Sequence, residues 1–132
     1  MRRLNKRTVA AFFTLLLLTV MFSMQINASD KSTEYLAFAE KMPVMQGGLS
    51  ALNKYIIYPE AAMNARLEGK VFVLIFVNET GGVDDVKVVK GIGMGCDQAA
   101  TEAVKKVSFS PGEHLGQKVK VKLALAIDFK LG

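Results

Sequence analysis

The stretch that decides the fold is Val119-Lys120-Val121-Lys122-Leu123-Ala124-Leu125-Ala126-Ile127-Asp128-Phe129. Every odd position in it is large and apolar, and every even position is lysine, alanine or aspartate. Side chains of an extended strand alternate between its two faces, so Val119, Val121, Leu123, Leu125, Ile127 and Phe129 share a core face and the others meet water. This predicts one long half-buried strand. Lysines on its outer side are what a sheet edge carries against indiscriminate pairing.

Upstream, Lys70–Asn78 holds the uninterrupted apolar run Val71 to Val77, which predicts a strand buried on both faces and hence central in its sheet. Asn78-Glu79-Thr80-Gly81-Gly82 has hairpin-turn chemistry, since glycine accepts positive φ. The return strand, Val83 to Lys90, carries Asp84, Asp85, Lys87 and Lys90 among its valines and so has a wet side. The loop Gly91 to Gly95 leads to Asp97, a candidate cap for a helix whose Ala100, Ala103, Val104 and Val107 form one stripe. Lys105 and Lys106 fall in its last turn, where the dipole favours cations.

Earlier still, Leu49, Leu52 and Ile56 recur at helical spacing after Gly47-Gly48, with Tyr55 beside them. Tyr58-Pro59-Glu60 reads as a second helix start, with Pro in the first turn and Glu60 at the positive end of the dipole. Ala61, Ala62 and Ala65 carry it towards Leu67, and Gly69 is the expected left-handed stop. The sum is an α+β domain: a β-β-α-β order, a three-stranded antiparallel sheet, and helices packed on one face.

The net charge of +5 over 132 residues belongs mostly to the N-terminus. Arg2, Arg3, Lys6 and Arg7 precede an uncharged run from Thr8 to Met24, and from Ser29 onward 13 basic residues face 12 acidic ones. A basic surface for nucleic acid is therefore excluded, because phosphate neutralisation needs clustered Lys and Arg. Residues 1–28 read as a leader. Its densest apolar part, Val9 to Phe22, is shorter than the roughly 20 residues a bilayer asks for, and Ser23 to Ala28 resembles a cleavage region. Two readings stay open, a cleaved signal peptide or an uncleaved inner-membrane anchor, and both keep the positive end cytoplasmic and export the remainder to the periplasm. Residues 29–42 are a short linker or a first weakly held element, and 43–132 form the domain.

Catalytic and metal motifs fail one by one. Cys96 is the single cysteine, so no internal disulfide forms, and with one histidine there is no zinc ligand set. Burial is the expected state of its thiol, with a disulfide to another molecule as the other reading. Gly91-x-Gly93-x-Gly95 has the wrong spacing for a dinucleotide turn and follows a hairpin strand. His114 lies in the loop Pro111 to Gly116 and is expected to be solvated. Adjacent Asp84 and Asp85 point to opposite faces of a strand and cannot act as a carboxylate pair. The expectation is no enzyme, no cofactor, no metal, and a binding function.

The order Tyr58-Pro59-Glu60-Ala61-Ala62, Glu68-Gly69-Lys70-Val71, Gly81-Gly82-Val83 and Val86-Lys87-Val88-Val89-Lys90-Gly91 resembles the TonB C-terminal domain family. Cys96-Asp97-Gln98-Ala99-Ala100, Phe109-Ser110-Pro111-Gly112 and the last strand extend the likeness over residues 42 to 131. Met42-Pro43-Val44-Met45-Gln46-Gly47-Gly48-Leu49 is similar to the variant common in Bacteroidetes-like bacteria.

The resemblance implies an energy-transducing adaptor, held in the inner membrane with ExbB and ExbD. Such an adaptor captures peptides of TonB-dependent outer-membrane receptors by strand addition at a sheet edge. Carried over, the partner-binding residues are Tyr58 and Pro59, at the family's Tyr-Pro pair, and Val119, Val121, Leu123, Leu125 and Ile127 on the binding strand. A packed Tyr at a helix start is the other reading of the first pair.

The chain departs from the family pattern in two places. Thr8 to Ile26 holds no histidine for proton coupling, and in place of a long Pro-rich spacer about 14 residues separate Ala28 from Pro43, a reach of about 50 Å. Two functions follow: a periplasmic TonB-like adaptor supporting energised transport, or a stand-alone interaction module without proton-motive coupling, self-associating as a homodimer through its edge.

Overall fold

A computed structural model describes residues 34–132; the leader, its cleavage or anchoring, and the first residues of the expected linker lie outside the described residues. The elements run β1 (Val44–Met45), α1 (Gly48–Tyr55), α2 (Glu60–Asn64), β2 (Gly69–Val77), β3 (Val83–Lys90), α3 (Cys96–Lys106), β4 (Phe109–Ser110), β5 (Gly112–His114), β6 (Gln117–Val119) and β7 (Val121–Phe129). The fold is α+β. The main sheet is antiparallel in the order β3-β2-β7, with β2 central as its apolar run requires.

Register follows from burial. β2 and β7 pair without interruption from Gly69 opposite Phe129 to Val77 opposite Val121. This puts Val71, Val73, Ile75, Ile127 and Phe129 into one core with Leu52, Ala62, Cys96, Ala100, Ala103 and Val104 from the helices. The opposite face of β2 is not uniformly covered, contrary to the expectation of burial on both sides. Phe76 is buried under Tyr35, whose ring stands edge-on to it at 5.0 Å, but Leu74 is half-buried and Phe72 is 40% exposed. Helices cover one face, and on the other the segment around Tyr35 packs over Phe76.

Three local expectations change. α2 ends at Asn64, and the left-handed residue is Arg66 (φ 51) in place of Gly69. The Leu67 N–H donates to the Ala62 carbonyl and the Arg66 N–H to Met63, a Schellman end that turns apolar Leu67 back onto the core. Gly69 instead opens β2, and its missing side chain leaves room for Ile92. Asp97 does not cap α3, whose N-cap is Gly95. One of its carboxylate oxygens accepts from the N–H groups of Ile92 (2.8 Å) and Gly93 (3.3 Å), tying down the preceding loop.

The predicted eleven-residue strand is two strands. β6 turns back on β5, with Val119 opposite Gly112, and Lys120 is the break before β7 joins β2. The β5–β6 turn is Leu115-Gly116 with φ 51 and 75, a primed two-residue hairpin whose leucine replaces the usual Asn or Asp. His114 therefore ends a strand and is half-buried, with Nδ1 shielded and without a hydrogen-bond partner, not a solvated loop residue. β1 pairs with β4, Val44 opposite Ser110.

Candidate functional site

Among the described residues β7 has one neighbour in the main sheet, so its other edge is open beyond the point where Leu36 bridges Val121. The hydrogen bonds made by the residues before the domain reveal the parity of that edge. The Leu36 N–H donates to the Lys120 carbonyl and the Lys122 N–H to the Leu36 carbonyl, both at 2.9 Å, a parallel bridge centred on Val121. Main-chain groups of Lys120 and Lys122 thus point away from β2. Both groups of a residue in an antiparallel strand point the same way, and the direction alternates. It follows that Ala124, Ala126 and Asp128 turn their N–H and C=O outward, while Val121, Leu123, Leu125 and Ile127 spend theirs on β2.

The residues carried over on the family pattern sit here as follows. Val121 and Ile127 are buried, Leu123 and Leu125 are half-buried against the core, and Val119 lies outside the main sheet on β6. They build the wall of β7, and the groups at the open edge belong to the even positions between them. Sequence alternation assigns side chains to faces but cannot say which parity of backbone faces the neighbouring strand. That depends on register with β2.

Beside the far end of this edge lies a groove of about 380 Å³ between α1 and β7. Leu49, Asn53, Ile56 and Tyr58 form one wall and Ala126 to Lys130 the other. Ala124 and Ala126 are exposed, so a strand approaching the edge meets no bulky side chain there. Within that wall Tyr58 is half-buried: its ring is edge-on to Phe129 at 5.4 Å, and its hydroxyl donates to the Leu67 carbonyl. Burial, then the nearby Cys96 and Glu68, push its pKa upward and keep it a neutral donor. Pro59 lies elsewhere, lining a second cavity with Tyr55, Ile57 and Gln98, and packs near Gly95. The Tyr-Pro pair is therefore divided between two cavities. Leu49 and Asn53 of the groove, and Leu36 on the edge, carry no site signal in the sequence: Leu49 reads as a helix face and Leu36 as part of a linker or first weakly held element.

Cys96 is fully buried, and desolvation followed by Asp97 raises its pKa above the ordinary thiol value. Among the described residues no cluster of three or more His, Cys, Asp and Glu could hold a metal, and no helix is long and apolar enough to cross a membrane.

The fold and its edge define a small α+β domain with a strand open to pairing. The family model for the C-terminal domain of Gram-negative bacterial TonB proteins matches residues 54–131. The chain belongs to the TonB C-terminal family. It is 36% identical over 75 residues to the Pseudomonas aeruginosa protein tonB2, covering 56% of this chain and 28% of that protein. It is 32% identical over 75 residues to protein TonB of Xanthomonas campestris, covering 56% of this chain and 34% of that one. The match therefore spans about a third or less of these relatives. The chain is also similar to two solution structures. For the Helicobacter pylori TonB C-terminal domain the identity is 32%, with 64% of this chain and 77% of that one covered, at a TM-score of 0.49. For the Pseudomonas aeruginosa TonB C-terminal domain the identity is 28%, with 57% and 77% covered, at a TM-score of 0.47.

Proposed function

We propose that this protein is a TonB-like adaptor of the periplasm, which takes up a peptide of a TonB-dependent outer-membrane receptor as an added strand on β7 and supports energised transport across the outer membrane. The observation that carries this reading is the outward row of main-chain groups on Ala124, Ala126 and Asp128 beside the groove of α1. Strand addition draws its affinity from such groups, so it needs an open edge more than particular side chains. Family membership supports the same reading. With the leader retained, ExbB and ExbD are the inner-membrane partners it implies.

The test is a calorimetric titration of a synthetic receptor peptide into the wild type and Ala126→Pro. Proline removes an N–H that faces the ligand and leaves the β2 ladder intact, and an edge strand tolerates it. Binding should weaken roughly tenfold, the effect of about 1.4 kcal/mol, with the melting curve still cooperative. Proline at Val121 or Leu123 should instead unfold the sheet, because those N–H groups serve β2. Unchanged affinity in folded Ala126→Pro would place the binding surface elsewhere.

A further inference from the structure

We propose that residues 34–41 form a strap that closes the start of the β7 edge, so that the edge accepts only a short strand, lying between Lys122 and Lys130. This rests on the strand-addition reading and adds a limit on the partner's length and register.

The strap is held at four points. Leu36 spends both its N–H and its C=O on Lys120 and Lys122, while its side chain stays 38% exposed, so its contribution to this edge is main-chain pairing. Tyr35 is buried against Phe76 and its hydroxyl donates to the Asp84 carboxylate. Glu34 pairs with the Lys120 ammonium, which also lies 5.5 Å from the centre of the Tyr35 ring. Ala39 is buried, and Lys41 exchanges both backbone hydrogen bonds with Glu113 of β5 at 2.9 and 3.0 Å. The Lys120 carbonyl and the Lys122 N–H, which a longer ligand would need, are therefore already occupied.

The other limit is the end of β7. The Leu131 N–H donates to the Glu68 carboxylate at 2.6 Å, which fixes the chain where the sheet stops. Eight residue steps from Lys122 to Lys130 span roughly 27 Å at about 3.4 Å per residue. The groove opens along the second half of that window, from Ala126 to Lys130. The partner that fits is an extended peptide of that length, with one large apolar side chain at the position facing Ile127 to fill the space beside Leu49 and Tyr58. The acidic and aromatic pair Glu34-Tyr35 marks where a longer peptide would have to displace the protein's own chain.

Two measurements on the full chain decide this. Amide exchange without ligand should show Lys122 protected and Ala124, Ala126 and Asp128 fast; equal rates at Lys122 and Ala124 overturn the strap, whatever binds. Lys-flanked peptides of alternating Thr and Val, one spanning Leu123 to Lys130 and one twice as long, are then titrated into the wild type and Leu36→Pro. In the wild type the longer peptide should bind no more tightly than the shorter. In Leu36→Pro, which lacks the donor to Lys120, the longer should gain roughly tenfold from the freed pair of groups. A comparable gain in the wild type overturns the length limit while leaving strand addition standing. Failure of both peptides to protect any β7 amide overturns strand addition, and the length limit with it.

Discussion

The Tyr35 hydroxyl donates to the carboxylate of Asp84, joining the segment ahead of the domain to the start of β3. That bond, with burial and the charges of Asp84, Glu34 and Glu79 behind it, pushes the Tyr35 pKa well above its ordinary value of 10.0. A group whose pKa is raised by folding holds its stabilising effect below the unfolded pKa and loses it as pH climbs toward the folded one. The window therefore opens near pH 10 and runs upward. Melting temperatures of the wild type should fall faster above pH 10 than those of Tyr35→Phe, with the two curves parallel below pH 9. Parallel curves throughout would show that the hydroxyl bond is absent in solution.

Gly81 is a position where a side chain cannot be placed. Its φ is +87, a Cβ would stand 1.9 Å from the Phe109 carbonyl oxygen, and its own carbonyl accepts from the Phe109 N–H at 3.0 Å. Gly81→Ala should destabilise the domain by about 2 kcal/mol or more in urea unfolding, combining left-handed strain with displacement of β4. Gly116, with positive φ but open space around it, is the control. Gly116→Asn should cost well under about 1 kcal/mol, because Asn tolerates the left-handed region.

Cys96 sits wholly inside the core with its thiol pKa raised. The folded protein should react with Ellman's reagent more than a hundredfold more slowly than the urea-unfolded chain, since the thiolate is the nucleophile and is disfavoured by burial. Rapid native reaction would reopen a disulfide to another molecule.

Much of this architecture is readable from residue order. Seven apolar residues in a row marked β2 as central, although its second face is only partly covered, and strict alternation marked β7 as half-buried, because burial of one face writes that pattern directly. The β5–β6 hairpin escaped because its turn uses Leu115 at positive φ, a residue no turn rule favours, so the alternation ran on through Lys120 as though one strand continued. The lysines on the outer side of the last strand made it legible as a sheet edge, but not which of its backbone groups face outward. Leu36 acts through its backbone, which carries no residue-type signal, and the outward parity of Ala124 and Ala126 is set by pairing with residues fifty positions away. Tyr58 was legible as a packed helix-start tyrosine, but its separation from Pro59 into different cavities depends on where α1 docks.

A partner strand should add to β7 on the outward groups of Ala124, Ala126 and Asp128. The most direct measurement is NMR on the isotope-labelled chain with an unlabelled synthetic receptor peptide, reading interstrand NOEs and amide exchange along residues 119–130. NOEs are expected from the peptide backbone to Ala124 and Ala126, with new protection at the Ala124, Ala126 and Asp128 amides and none gained at Leu123 or Leu125. Binding that leaves those three amides unprotected, with the NOEs falling instead on β3 or the cavity of Pro59, would contradict strand addition on β7.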